Sequence, residues 1–117
     1  MNLDPNCLFC KIIEKKIPAK ILHEDDYAIA FDDINPKAPV HTLIVPKKHI
    51  TDIHSITVSD REVIGHLFFV ARTLASQKGL EKNGYRMVIN NGRDAGQTVF
   101  HIHLHLLAGR SFSWPPG

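Results

Sequence analysis

The 117-residue sequence predicts an α+β domain: a five-stranded antiparallel sheet with one short and one long helix. Three observations carry this. Short β-type segments follow one another through turn-rich links, which implies antiparallel pairing. One stretch alone, after Ser59, repeats its apolar residues at helical spacing over several turns. A strict alternation closes the pattern at His101-Ile102-His103-Leu104-His105-Leu106-Leu107. At 44% apolar and 22% charged, the chain buries one core and not two, so residues 1–117 read as a single domain.

Taken in order, Leu8–Lys16 reads as a short helix closed off by Pro18. Strands follow at Ile21–Glu24, Tyr27–Asp32 and His41–Val45, divided by Asp25-Asp26 and by Asn35-Pro36-Lys37-Ala38-Pro39. Ser59-Asp60-Arg61-Glu62 reads as a capping box with Ser59 at the N-cap. From there Val63, Leu67, Val70, Ala71, Leu74 and Ala75 mark one face of a long helix that stops near Gly79. Ile64, Phe68 and Phe69 widen its apolar arc; they belong either to the core or to a dimer contact. Asn83-Gly84 turns into a strand at Tyr85–Asn90, and His101–Leu107 is the last strand.

Composition excludes several classes of function. Net charge is +2 and the 14 basic residues are spread out, so no nucleic-acid-binding face is indicated. Met1–Pro5 is polar and lacks a signal-peptide apolar segment, and no run is long enough to cross a membrane. A cytoplasmic protein is expected.

The final alternation carries the most chemistry. In a strand, Ile102, Leu104 and Leu106 enter the core while His101, His103 and His105 emerge on the other face, about 7 Å apart. Three imidazoles in register suit proton transfer, nucleophilic attack or metal binding. Ahead of them, Asn90-Asn91-Gly92-Arg93-Asp94-Ala95-Gly96-Gln97-Thr98 has the small and flexible residues of an anion nest. No Gly-Lys-Ser/Thr loop and no Gly-x-Gly-x-x-Gly helix start is present, so a P-loop or Rossmann nucleotide site is excluded. His23, His54 and His66 have no partner in sequence and read as ordinary polar positions.

Together these residues resemble the histidine triad (HIT) family, His-φ-His-φ-His-φ-φ, and within it the Hint branch of purine nucleoside phosphoramidases. The likeness extends over Phe9–Ile13, Ile17–Lys20, Phe31–Pro36, Ala38–His41, Gly84–Arg86, Gly96–Val99 and the ending Trp114–Gly117. Thr98 stands where many Hint proteins carry Ser, and Ala95 where glycine is frequent. The resemblance implies His103 as the nucleophile on the α-phosphorus, forming a nucleotidyl-histidine that water then hydrolyses. It implies His105 and Thr98 as contacts to phosphate and leaving group, and His41 and His101 as supports of the nucleophile. Asp33 is implied as the ribose-binding carboxylate, with Leu8, Phe9 and Ile34 lining the base pocket. Asn90, Gly96 and Gln97 are implied to hold the phosphate and its loop. No catalytic metal is implied; the partners are a purine nucleotide (AMP, GMP or an adenosine phosphoramidate) and a second copy of the chain. Those dimers carry one continuous ten-stranded sheet, and the tail, residues 111–117, approaches the partner's active site. The same nucleophile also serves dinucleoside-polyphosphate hydrolases and nucleotidyltransferases of sister branches. A third reading is a purine-nucleotide-binding regulator with vestigial catalysis.

Cys7 and Cys10 form a Cys-x-x-Cys that reads as a redox pair, a metal half-site or two packed thiols. No thioredoxin-like βαβ setting accompanies them. A zinc site needs two further ligands, for which His49 and His101 are the candidates. Some HIT relatives bind structural zinc with this Cys, Cys, His, His pattern.

Overall fold

In a computed structural model, residues 3–117 are described. Met1 and Asn2, part of the polar N-terminus read above, lie outside the described residues. Helix α1 spans Leu8–Ile13, and strands β1 Ile21–Glu24, β2 Ala28–Asp32 and β3 Val40–Pro46 follow. Helix α2 runs Arg61–Gln77, then come β4 Arg86–Val88 and β5 Leu104–Ala108. The five strands form one antiparallel sheet in the order β1-β2-β3-β5-β4. The predicted α+β architecture is therefore the observed one, with β1 and β4 at its edges.

Strands β2 and β3 differ from expectation by single residues, and four boundaries differ by more, each for a physical reason. First, α1 ends at Ile13, well before Pro18. Lys15 takes the left-handed conformation (φ 65°), while the Lys15 and Lys16 amides bond back to the Ile12 and Lys11 carbonyls. This is a Schellman end with lysine where glycine is usual. Second, the box at the head of α2 lies two residues earlier than Ser59–Glu62, because a 3₁₀ turn, Val58–Asp60, leads into the helix. The Thr57 amide donates to Asp60 Oδ2 at 2.9 Å, and Lys48 Nζ donates to Asp60 Oδ1 at 2.7 Å.

The third and fourth differences share one cause. The Ile102 amide donates to the Ile50 carbonyl at 2.8 Å instead of to a neighbouring strand. His101–His103 thus precedes the ladder, and β5 begins at Leu104 rather than His101. Strand β4 is correspondingly shorter than Tyr85–Asn90, since only Arg86, Met87 and Val88 find partners in β5.

Both faces of the sheet are covered. On one, Leu67, Val70, Ala71 and Leu74 of α2 pack on Ala28, Ala30, Ile44, Ile102, Leu104 and Leu106. The predicted inward direction of Ile102, Leu104 and Leu106 holds. On the opposite, histidine-bearing face, Phe9, Cys10 and Ile12 of α1 meet Ile29, Phe31, Leu43 and Val45. Ile64 packs partly against the core, whereas Phe68 and Phe69 stay exposed on α2, which removes the core explanation for these two aromatics. Gly109 (φ 94°) lets β5 end close to the 35–39 turn: a Cβ there would stand 2.7 Å from Pro39 Cβ. No helix among the described residues is long and apolar enough to cross a membrane.

Candidate active site and metal centre

Helix α1 converts an open strand face into a buried one. His101 is fully buried and His103 nearly so, while His105 is half-buried. The Phe9 ring stands edge-on to His103 (centroids 5.1 Å apart) and to His101 (5.9 Å). Burial penalises the imidazolium form, so His41, His101, His103 and His105 all titrate below the usual histidine range. Burial first, and then the neighbouring histidines, bring His105 down to about 4. The site is a set of neutral imidazoles at pH 7, and neutral imidazole is the nucleophilic and ligating form.

The hydrogen bonds fix which nitrogen of each ring carries the proton. His103 Nδ1 lies 2.8 Å from the His101 carbonyl, which can only accept. The proton therefore sits on Nδ1, and the Nε2 lone pair is free for attack. His41 Nδ1 accepts the Lys37 amide at 3.0 Å, so the neutral His41 ring is protonated on Nε2. That nitrogen donates to His105 Nδ1 at 2.9 Å, and His105 in turn keeps its proton on Nε2. One nucleophilic nitrogen and one N–H donor result, on adjacent rings whose centroids are 4.9 Å apart.

Two contributors to this relay carried no signal in the sequence. The Lys37 amide sets the His41 tautomer, and Arg110 Nε and Nη2 hold the Lys37 carbonyl at 3.1 and 3.0 Å. The first acts through the main chain, where residue type is silent; the second is a long-range tether with no local pattern. His41 meets His105 rather than His103, and it stands 3.5 Å from Asp33 Oδ2. His101 supports His103 through its carbonyl, while its ring turns to the cysteines.

The remaining predicted residues are spread around this centre. Asp33 is half-buried, with Oδ1 accepting the Asn35 amide at 2.9 Å. Leu8 and Ile34 are exposed, Ile34 almost completely, and Phe9 is buried. Gln97 staples the 90–98 loop: its Oε1 accepts the Gly92 amide, and its Nε2 donates to the Thr51 and Val99 carbonyls. Gly96 turns the chain at φ 99°, and the Asn90 amide nitrogen lies 4.0 Å from where its Cβ would be. Thr98 is exposed, at a cavity shared with Cys7, Leu8 and His49, and no hydrogen bond joins it to His103 or His105 among the described residues.

Beside the imidazole relay lies a second cluster. Cys7 Sγ is 3.3 Å from His101 Nδ1, Cys10 Sγ is 3.4 Å from His49 Nδ1 and 3.5 Å from His101 Nδ1, and the two Nδ1 atoms are 3.1 Å apart. Four donors on a tetrahedral zinc, at about 2.0–2.3 Å from the ion, stand roughly 3.3–3.8 Å from one another. The three sulfur–nitrogen distances match that spacing, the nitrogen pair at 3.1 Å falls slightly inside it, and all four atoms lie within 4.8 Å of one another. His101 Nε2 donates to the Pro46 carbonyl at 2.7 Å, which leaves Nδ1 deprotonated and facing the sulfurs. Each sulfur also accepts a backbone amide, Cys7 from Cys10 and Cys10 from Asp4, both at 3.4 Å. Burial pushes the Cys10 thiol up to about 11, a cost that a bound cation would offset. Both cysteines are free, so no disulfide occupies the cluster.

Three alternate histidines, His101, His103 and His105, on a segment that runs into the sheet form a histidine triad, with His41 of the neighbouring strand β3 beside it. The HIT domain model matches residues 14–112, and the chain belongs to the HIT family. An uncharacterized HIT-like protein of Synechocystis is 51% identical over 110 residues, covering 94% of this chain and 96% of that one. A maize 14 kDa zinc-binding protein is 47% identical over 116 residues, covering 97% and 90%. Among solved structures, a HIT family hydrolase from Legionella pneumophila superposes with a TM-score of 0.94 at 50% identity, covering 96% of this chain and all of that one. A histidine triad protein from Clostridium difficile gives 0.92 at 40% identity, covering 97% of both chains.

Proposed function

We propose that this chain is a purine nucleoside phosphoramidase that cleaves the P–N bond of AMP-type phosphoramidates and the related bond of aminoacyl-adenylate-like substrates. The observation that carries the reading is the His103 tautomer. Its Nδ1–H is spent on the His101 carbonyl, so Nε2 offers a lone pair from a buried, neutral ring. That nitrogen bonds to the α-phosphorus as the phosphorus–amine bond breaks. Water then displaces His103, and the nucleoside monophosphate leaves. The first half consumes one proton on the departing amine, and the second returns one from the attacking water. His105 Nε2–H donates to the phosphoryl group, Asp33 binds the ribose hydroxyls, and Thr98 meets the leaving group. The names of the structural relatives support hydrolysis in general.

Zinc at Cys7, Cys10, His49 and His101 is the structural part of the same reading. The donor spacing supports it, as does the name of the maize relative, a zinc-binding protein. When bound, the ion supplies a cross-link between the N-terminal segment and the sheet. It orients His101, whose carbonyl in turn holds His103.

The active form is a homodimer. Strand β4 is an edge strand, so two copies joined there form one ten-stranded sheet. Phe68, Phe69 and Met87 are exposed on α2 and β4 and give that contact its apolar area. Trp114, 82% exposed on its own domain, reaches the partner's site from the tail. The deciding experiment is turnover of an adenosine phosphoramidate against a diadenosine polyphosphate, on wild type and His103→Ala. Preference for the phosphoramidate, lost in the variant, is expected. Faster cleavage of the polyphosphate moves the assignment to the sister branch, and binding without turnover of either makes the chain a nucleotide-binding regulator.

A further inference from the structure

His23 and His66 read as ordinary polar positions in the sequence, yet the fold brings them to one carboxylate. His23 leaves β1, His66 projects from the second turn of α2, and Asp25 lies in the turn between β1 and β2. His23 Nε2 stands 2.7 Å and His66 Nε2 2.6 Å from the same oxygen, Asp25 Oδ2. The other oxygen, Oδ1, accepts the Tyr27 and Ala28 amides at 2.7 and 2.9 Å, so the carboxylate is aimed by its own turn. Burial raises the Asp25 carboxyl, but these four donors outweigh it and hold the group well below the usual carboxylate range. An anionic oxygen and two imidazole nitrogens thus lie within 4.8 Å of one another, and each side chain is close to one-third exposed.

We propose that His23, Asp25 and His66 form a second divalent-metal site, which clips the edge strand β1 to helix α2 and is separate from the thiolate cluster. Two imidazoles with one carboxylate suit zinc, nickel or cobalt(II), whereas magnesium and calcium want oxygen donors. Donors at about 2.0–2.2 Å from such an ion in tetrahedral geometry stand roughly 3.3–3.6 Å apart. Each ring needs to retreat from Asp25 Oδ2 by about 0.6–1 Å, and both side chains are partly exposed, which leaves room for the shift. Each ring binds through Nε2 with its proton moved to Nδ1. Three protein ligands leave at least one coordination position open. His66 also lines a cavity of about 510 Å³ with Tyr27, Lys47 and Lys48.

The test is zinc binding to the full chain and to the His23→Gln/His66→Gln double variant, which leaves the Asp25 turn intact. Bound zinc is counted by calorimetry and by metal analysis. The wild type is expected to bind one equivalent more than the variant, whatever the occupancy of the thiolate cluster, and magnesium is expected not to compete. Phosphoramidate turnover should be the same in both. Cobalt(II) added to the wild type provides a readout that needs no variant: the His23 and His66 ring proton resonances should broaden beyond detection. Equal zinc stoichiometry in the two proteins, or sharp His23 and His66 resonances at cobalt excess, overturns the site.

Discussion

His101 and His103 lie two residues apart on one segment and are both buried, yet their rings are prepared for opposite chemistry. His101 gives its Nε2–H to the Pro46 carbonyl and turns an Nδ1 lone pair toward two sulfurs. His103 gives its Nδ1–H to the His101 carbonyl and keeps an Nε2 lone pair for a substrate. On the proposed function, what separates the metal ligand from the nucleophile is a single carbonyl acceptor on the far side of each ring. The side chains are identical, so the second hydrogen bond decides.

The largest expected effect breaks the nucleophile's side of this comparison. His103→Ala should lower kcat for an adenosine phosphoramidate by at least about three powers of ten, since covalent catalysis is lost. Equilibrium dialysis should show nucleotide affinity within about tenfold of wild type, because ribose and base contacts lie elsewhere. Comparable turnover by both proteins would remove His103 from the chemistry.

The next effect breaks the ligand's side. Stripping zinc with a chelator, or Cys10→Ser, should lower the melting temperature by roughly 10 °C or more, each kcal/mol being worth about 3–6 °C in a domain of this size. Turnover should fall less than in His103→Ala, because the metal acts on His103 only through the position of His101. An unchanged melting curve in protein that analyses as zinc-free would sink the structural zinc.

A pH profile sharpens the comparison. His105 is neutral in the fold down to about 4, and protonating its Nδ1 would remove the acceptor that His41 needs. The sign follows: activity is present above the folded pKa and is lost as pH falls through it. For the phosphoramidate, kcat/KM should hold level as pH drops through 6.5, the ordinary histidine value. Its acid limb should lie below that value, where the buried rings take up protons, with the contribution of His105 falling near 4. An acid limb centred on 6.5 would mean that the rings are not desolvated during turnover.

Much of this was legible in the residues. The inward run Ile102, Leu104 and Leu106 and the long helix followed from local spacing, and the gathering of Cys7, Cys10, His49 and His101 from the Cys-x-x-Cys and the resemblance. The missing parts are long-range or carried by the main chain. The Ile50 carbonyl takes the Ile102 amide and delays β5, the Lys37 amide sets the His41 tautomer, and Asp25 gathers two histidines that lie 43 residues apart in sequence (66 − 23). A carbonyl acceptor leaves no mark on residue type.

The smallest expected effect concerns the tail. Arg86 and Arg110 flank the Phe112 ring at 5.1 and 4.3 Å, and Arg86 donates to the Ser113 carbonyl, so the start of the tail is anchored on its own domain while Trp114 is not buried there. Deleting residues 111–117 should change kcat/KM by about tenfold or less, unevenly across amine leaving groups, while His103 still forms its adduct. Sedimentation should find a dimer at micromolar concentration for the intact chain. A monomer, or an unaltered leaving-group preference in the truncated chain, would count against the tail's role at the partner's site.

The most direct test of the opposed rings is long-range ¹H–¹⁵N correlation of the histidine side chains in zinc-loaded protein near pH 7. The account predicts His101 with its proton on Nε2 and a metal-shifted Nδ1, and His103 with its proton on Nδ1 and a bare Nε2. The same tautomer on both rings, or a His103 protonated on Nε2, would contradict it.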